Sequence, residues 1–149
     1  MTARHIIKNQ KGFTLIELLV VIGILAVLLA ITLIAINPQR QFAQANDTRR
    51  ASDVNAILNA VSQYSADHKG NITALNIPSG TADAIGDADV DICALIVPTY
   101  IAAMPVDPQN GNYTDCSDYA TGYDIVQDGT GRITVSATGE LTNPISVTR

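Results

Sequence analysis

An uninterrupted apolar run from Phe13 to Ile36 constrains this chain more than anything else in it. The run is about two dozen residues long and carries one charge, Glu17. As an α-helix it would extend about 36 Å, more than the roughly 30 Å hydrocarbon core of a bilayer. It is too long for the apolar region of an ordinary secretory signal, and no A-x-A-like cleavage site follows it. The expectation is a membrane-spanning helix. Lys8 and Lys11 lie within five residues of Phe13, with Arg4 close behind. On the far side only Arg40 is near, and Arg49 and Arg50 come later. Positive-inside bias therefore places the N-terminus in the cytoplasm and the bulk of the chain outside.

Composition matters here because it is unevenly spread. The chain is 47% hydrophobic but only 5% aromatic, without Trp. Much of the apolar content lies before Asn37, so a core in the remainder must rest on Ile, Leu, Val, Ala and five Tyr. Such a domain is close to the size at which one core is marginal without a covalent staple. The formal net charge is −5, and the three bases Arg4, Lys8 and Lys11 all precede Phe13. Without them the chain is three units more acidic, which argues against a general nucleic-acid binder, since that needs a basic stripe. Cys93 and Cys116 are the two cysteines. In an exported domain they are a candidate disulfide. Closing their loop of roughly two dozen residues would stabilise by about 3 kcal/mol.

Downstream, Gln39 to Lys69 reads as an amphipathic helix. Val54, Ile57, Leu58, Val61 and Tyr64 recur at helical spacing, with Ala51 and Ser65 on the same face. Arg49, Arg50, Asp53, Asn59 and Gln63 are assigned to the opposite, polar face. Tyr64 is read as core, and Gly70-Asn71 as the helix stop. Pro38 should kink or break the helical backbone where the apolar run ends. Asn71 to Val90 reads as a loop region with short elements, and Ile92 to Met104 as a short helix followed by a turn. Tyr123–Gln127 and Arg132–Ser136 flank Asp128-Gly129-Thr130-Gly131, the pattern of a hairpin. A further strand is expected near Asn112-Tyr113-Thr114, and the tail from Leu141 either adds an edge strand or stays loose.

Sites for chemistry are few. His68 is the only histidine after residue 12, and nothing nearby completes a nucleophile–base set, so no catalytic residue is assigned. Asp83, Asp87, Asp89 and Asp91 read as a solvated acidic loop, since no distal Glu completes a calcium loop. No metal or cofactor is assigned. Asn46, Asn71 and Asn112 open N-x-[ST] patterns, which a polar chain acquires by chance.

The N-terminal residues Lys11-Gly12-Phe13-Thr14-Leu15-Ile16-Glu17-Leu18-Leu19-Val20-Val21-Ile22, behind a short basic stretch, closely resemble the class III leader and N-terminus of type IV pilins and of the pseudopilins of type II secretion. The resemblance is strong over residues 8–38, extends into the helix to Gly70, and is architectural beyond. It implies an α+β fold, in which a long N-terminal helix packs on a small antiparallel sheet. The first half of that helix is hydrophobic and the second amphipathic. It divides the chain into a leader (1–12), a transmembrane and polymerisation helix (13–36), an amphipathic helix (37–70) and a globular head (71–149).

The resemblance also implies roles for particular residues. A prepilin peptidase would cut after Gly12, where the lack of a side chain allows close backbone approach, and methylate the new amine of Phe13. Glu17 would pair with the N-terminal amine of a neighbouring subunit, since a buried carboxylate is tolerable only when paired. Gly23 reads as a plain small residue. Oxygen donors Asp115, Ser117, Asp118 and Asp124 fall where the major pseudopilin holds calcium. Met104-Pro105-Val106-Asp107-Pro108 resembles the turn before the sheet in many pseudopilins. Implied partners are further copies of the chain, the peptidase, an assembly ATPase, a platform membrane protein, and membrane lipid before assembly. The implied location is the cytoplasmic membrane, then an extracellular pilus or a periplasmic pseudopilus. The competing expectations are a secretion pseudopilin and an uncleaved membrane-anchored binding domain.

Overall fold

The computed structural model describes residues 12–149, so the leader before Gly12 lies outside the described residues. Two compact units divide at Gln39 and Arg40.

The first unit holds α1, Leu15–Ile36, none of whose side chains is buried. Leu, Ile and Val surround the helix on all sides, so it has no polar face to leave in water. A helix that is apolar all round requires an apolar surrounding. Its 22 residues reach about 33 Å, long and apolar enough to cross a membrane. The backbone breaks at Asn37, which takes a left-handed conformation (φ 46°, ψ 79°). Pro38 then opens the next helix, α2, Pro38–Asp67. Proline is at home in a first helical turn because its missing N–H has no intrahelical acceptor there. The chain therefore restarts a helix at Pro38 instead of running through it.

In the second unit α2 buries Ala43, Asp47, Arg50, Val54, Ile57, Leu58, Ala60, Val61 and Tyr64. Most of these recur at alternating spacings of four and three, a single stripe along the helix. Fully burying each of Val54, Ile57, Leu58 and Val61 stabilises by roughly 1.5–3 kcal/mol. After Asp67, Lys69 (φ 56°) and Gly70 (φ 84°) turn the chain out of the helix.

The sheet receives this stripe. Its strands are β1 (Asp83–Gly86), β2 (Asn112–Asp115), β3 (Asp118–Gln127), β4 (Ile133–Ala137) and β5 (Ile145–Thr148). All named pairings are antiparallel, in the order β1-β3-β4-β5, with β2 paired to the opening residues of β3. Along β3, Tyr119, Thr121, Tyr123 and Ile125 alternate inward, as the period of two requires. They join Val135, Ala137 and Ile145 and the α2 stripe in one core, which α3 (Cys93–Ile96) and Leu75 close.

The hairpin expected at residues 128–131 is present, with Asp128 Oδ1 accepting from the N–H of both Thr130 and Arg132. β3 runs five residues further back than Tyr123, where its expected strand began. β1 lies inside the segment read as loop, and the tail forms β5.

Candidate functional site

Glu17 lies in the first turn of α1 and closes a reciprocal cap with Thr14. The Glu17 N–H donates to Thr14 Oγ1 at 3.2 Å, while Glu17 Oε2 accepts from the Thr14 N–H at 2.8 Å. Thr14 Oγ1 donates to the same carboxylate oxygen at 2.7 Å. A helix leaves its first N–H groups without intrahelical partners, and this box satisfies two of them. The anion also sits at the positive end of the helix dipole. The carboxylate thus has a partner within the single chain, besides the neighbour's amine that the resemblance implies for it. Gly12 and Phe13 immediately precede this cap and are exposed. The remaining turns of α1 offer only apolar side chains and the small polar Thr32, whose hydroxyl bonds back to Leu29 O.

The second feature corrects the helical-face assignment. Arg50 lies in the core with 1% of its surface exposed. The error was one of register, because Arg50 is four residues before Val54 and seven before Ile57, on the same stripe. Its guanidinium donates from Nε to Asp107 Oδ2 at 2.5 Å and from Nη2 to Asp107 Oδ1 at 3.3 Å. Nη1 donates to Asp47 Oδ1 at 3.0 Å and to Glu140 Oε1 at 3.1 Å, and Nη2 also reaches Gln109 Oε1. Asp53, also placed on the polar face, is half-buried and accepts from Tyr123 Oη at 2.9 Å.

This clamp fixes two loops to α2. Asp47 accepts from the consecutive N–H groups of Glu140, Leu141 and Thr142 at 2.7, 2.8 and 3.0 Å. Burial opposes its charge, yet these bonds and Arg50 prevail and hold its pKa down at about 2. Asp107 is lowered too, with burial again outweighed by Arg50 and by the N–H groups of Gln109 and Asn110. Arg50 is pushed further up, chiefly by Asp107.

Close approach of the Asp107 loop to β3 depends on two glycines. A Cβ on Gly111 would stand 2.7 Å from Thr121 O, and one on Gly122 (φ 76°) would stand 2.9 Å from Asp107 Cβ. The Pro105-Val106-Asp107-Pro108 motif thereby acquires a physical role, presenting a carboxylate to a buried arginine.

Cys93 and Cys116 form a disulfide linking α3 to the β2–β3 turn. Beside it, Tyr119 Oη donates to Asp91 Oδ1 at 2.8 Å and accepts from the N–H groups of Ile92 and Cys93.

The oxygen donors considered for calcium do not converge. Asp115 Oδ1 is held by the Ser117 N–H and Oγ. Asp124 is six strand residues beyond Asp118, about 20 Å away along β3. Burial, then Asp83, raises the Asp124 carboxyl above the usual range. Among the described residues no group of three His, Cys, Asp or Glu side chains comes together as a metal site. His68 stacks on Tyr64 with ring centroids 4.0 Å apart, and its Nδ1 faces Tyr64 O.

Residues 7–33 match the family model described as the prokaryotic N-terminal methylation motif. This class III prepilin leader motif is characteristic of type IV pilins and pseudopilins, which are structural proteins. No curated protein and no solved structure matches this chain.

Proposed function

We propose that this chain, which carries the methylation motif of type IV pilins and pseudopilins, is the structural subunit of a type IV pilus-like filament. One observation carries the reading. The motif coincides with a helix that buries nothing within its own chain, while the rest of the chain has a complete core. In this reading a prepilin peptidase cuts between Gly12 and Phe13 and methylates the Phe13 amine. α1 then holds the subunit in the cytoplasmic membrane, N-terminus inward. An assembly ATPase and a platform protein draw subunits into a fibre whose centre is built from α1 helices, with the α+β heads outside.

Glu17 has a defined part in that sequence. An ionised carboxylate near the end of a membrane helix costs less than the roughly 2.5–3.5 kcal/mol of one at the bilayer centre. The Thr14 cap lowers the cost further by satisfying one of its oxygens. On assembly the N-terminal amine of a neighbour supplies a full countercharge, which favours the fibre over the isolated subunit.

A pseudopilin of type II secretion is the second reading, favoured by the Pro105–Pro108 motif. Imaging with antibody against the head separates the two. Labelled fibres outside the cell support a pilus. Label confined to the periplasm, with secretion lost on deletion, supports a pseudopilus. Label that stays dispersed in the membrane contradicts both.

A further inference from the structure

Three Asn-x-Thr sequences occur in the chain, at Asn46, Asn71 and Asn112. Each has the pattern of an N-linked glycan acceptor, and the fold treats the three differently. Asn46 lies inside α2, where its Nδ2 donates to Glu140 Oε1 at 2.8 Å. Thr48 Oγ1 is turned back onto Gln44 O at 2.8 Å, and Asp47 between them is locked in the Arg50 clamp. Acceptor nitrogen and hydroxyl are therefore both engaged there. Asn112 lies in β2, where the sequence is held extended along β3 by the pairings of Asn112 with Ala120 and of Tyr113 with Tyr119.

Asn71 stands in neither setting. It follows the end of α2, in the turn that leads into a short 3-10 helix, Thr73–Leu75. Asn71 and Thr73 are both exposed. Asn71 Oδ1 accepts from the Thr73 N–H at 3.1 Å, while its Nδ2 is not engaged by any group among the described residues. This Asx-turn draws the carboxamide to the backbone of Thr73. Acceptor amide and partner hydroxyl are thereby held within one turn. Asn71 also lines an open cavity of about 350 Å³ with Asn76 and Gln127, which leaves room for a first sugar. The turn lies outside both the core and the clamp, so a bulky, hydrated glycan displaces no buried group.

We infer that Asn71 is an acceptor for an N-linked glycan, transferred by a membrane enzyme from a lipid-diphosphate-linked oligosaccharide. Asn71 Nδ2 bonds to the anomeric carbon of the first sugar as the bond from that carbon to the diphosphate oxygen breaks. The lipid diphosphate leaves, and the proton displaced from Nδ2 passes to a base on the transferase. No oxidant or reductant is consumed. This goes beyond the filament reading and needs from it only that the head leave the cytoplasm. The Cys93–Cys116 disulfide fits that location, since such bonds persist outside the reducing cytoplasm.

Mass spectrometry of the full chain recovered from its native cells tests this, with fragmentation that assigns any added mass to a residue. The expected result is a sugar-containing mass increment on Asn71. It should be lost in Asn71→Gln and in Thr73→Ala, retained in Thr73→Ser, and unchanged in Asn46→Gln and Asn112→Gln. Thr73→Ala keeps the N–H that Asn71 Oδ1 accepts from, so loss of the glycan there is not the result of a lost turn. Asn71 recovered unmodified overturns the inference, as does a glycan carried only by Asn46 or Asn112. An increment that survives Asn71→Gln also overturns it. None of these results touches the filament reading, which imaging of fibres decides separately.

Discussion

α1 and α2 are consecutive helices separated by one residue, and they relate to the rest of the chain in opposite ways. α1 has 22 residues and buries none of them, whereas α2 has 30 and buries nine. α2 is amphipathic with its own core, so its sequence is answered within the molecule. α1 is apolar on every side, so its sequence can be answered only by lipid or by other helices. Residue choice at the junction keeps the two regimes apart. Asn37 takes the left-handed conformation that ends α1, and Pro38 begins α2 where a lost N–H costs nothing.

The contrast is most sharply broken by charge. Val27→Asp in the middle of α1 should cost roughly 2.5–3.5 kcal/mol of membrane insertion. The remaining Leu, Ile and Val side chains of α1 outweigh that cost, so the expected result is a chain still in the membrane fraction but with sharply reduced fibre yield, while the unfolding midpoint of the head is unmoved. At the buried clamp, Arg50→Ala should destabilise the head by about 3–5 kcal/mol, because Asp47 and Asp107 lose the countercharge of a buried group. Denaturant unfolding of the full chain in detergent would measure it, and insertion should be unaffected. A pair of matched truncations sharpens the comparison. Ile57→Ala should cost the head about 2–5 kcal/mol, whereas Ile24→Ala should leave head stability within about 0.5 kcal/mol and act only on fibre yield. Removing the disulfide with Cys93→Ser and Cys116→Ser should cost about 3 kcal/mol, again confined to the head.

The smallest expected effect is that of acid. Asp47 has a folded pKa of about 2, against an ordinary value of 3.8. Its contribution to stability is fully present above about pH 4 and is lost as pH falls toward 2. Asp107 acts in the same direction. A stability–pH profile of the head should therefore fall across that window, and Asp47→Asn should flatten it.

The same division explains what could be read from the sequence. α1 was legible because a long apolar run with one carboxylate leaves few alternatives, whereas the cap that Glu17 closes with Thr14 was not read. The α2 core stripe from Val54 to Tyr64 was legible from its spacing, as was the β3–β4 hairpin from the Gly-rich turn between apolar strands. The clamp was missed because arginine is assigned to surfaces by habit. Extending the alternating spacing back from Val54 to Arg50, Asp47 and Ala43 was the signal that could have found it. The acceptors Asp107 and Glu140 lie 57 and 90 residues from Arg50, and no local pattern encodes such pairings. β1 falls in the segment read as loop with short elements, and its place there was not assigned for a related reason. Asp83–Gly86 is short, has one fully apolar large side chain, and owes its strand form to pairing with β3.

The most direct test of the central claim is the intact mass and N-terminal sequence of the chain recovered from its native cells. The account predicts a species that begins at methylated Phe13. A species that still carries the residues up to Gly12 would contradict it and make the uncleaved anchored domain the better description.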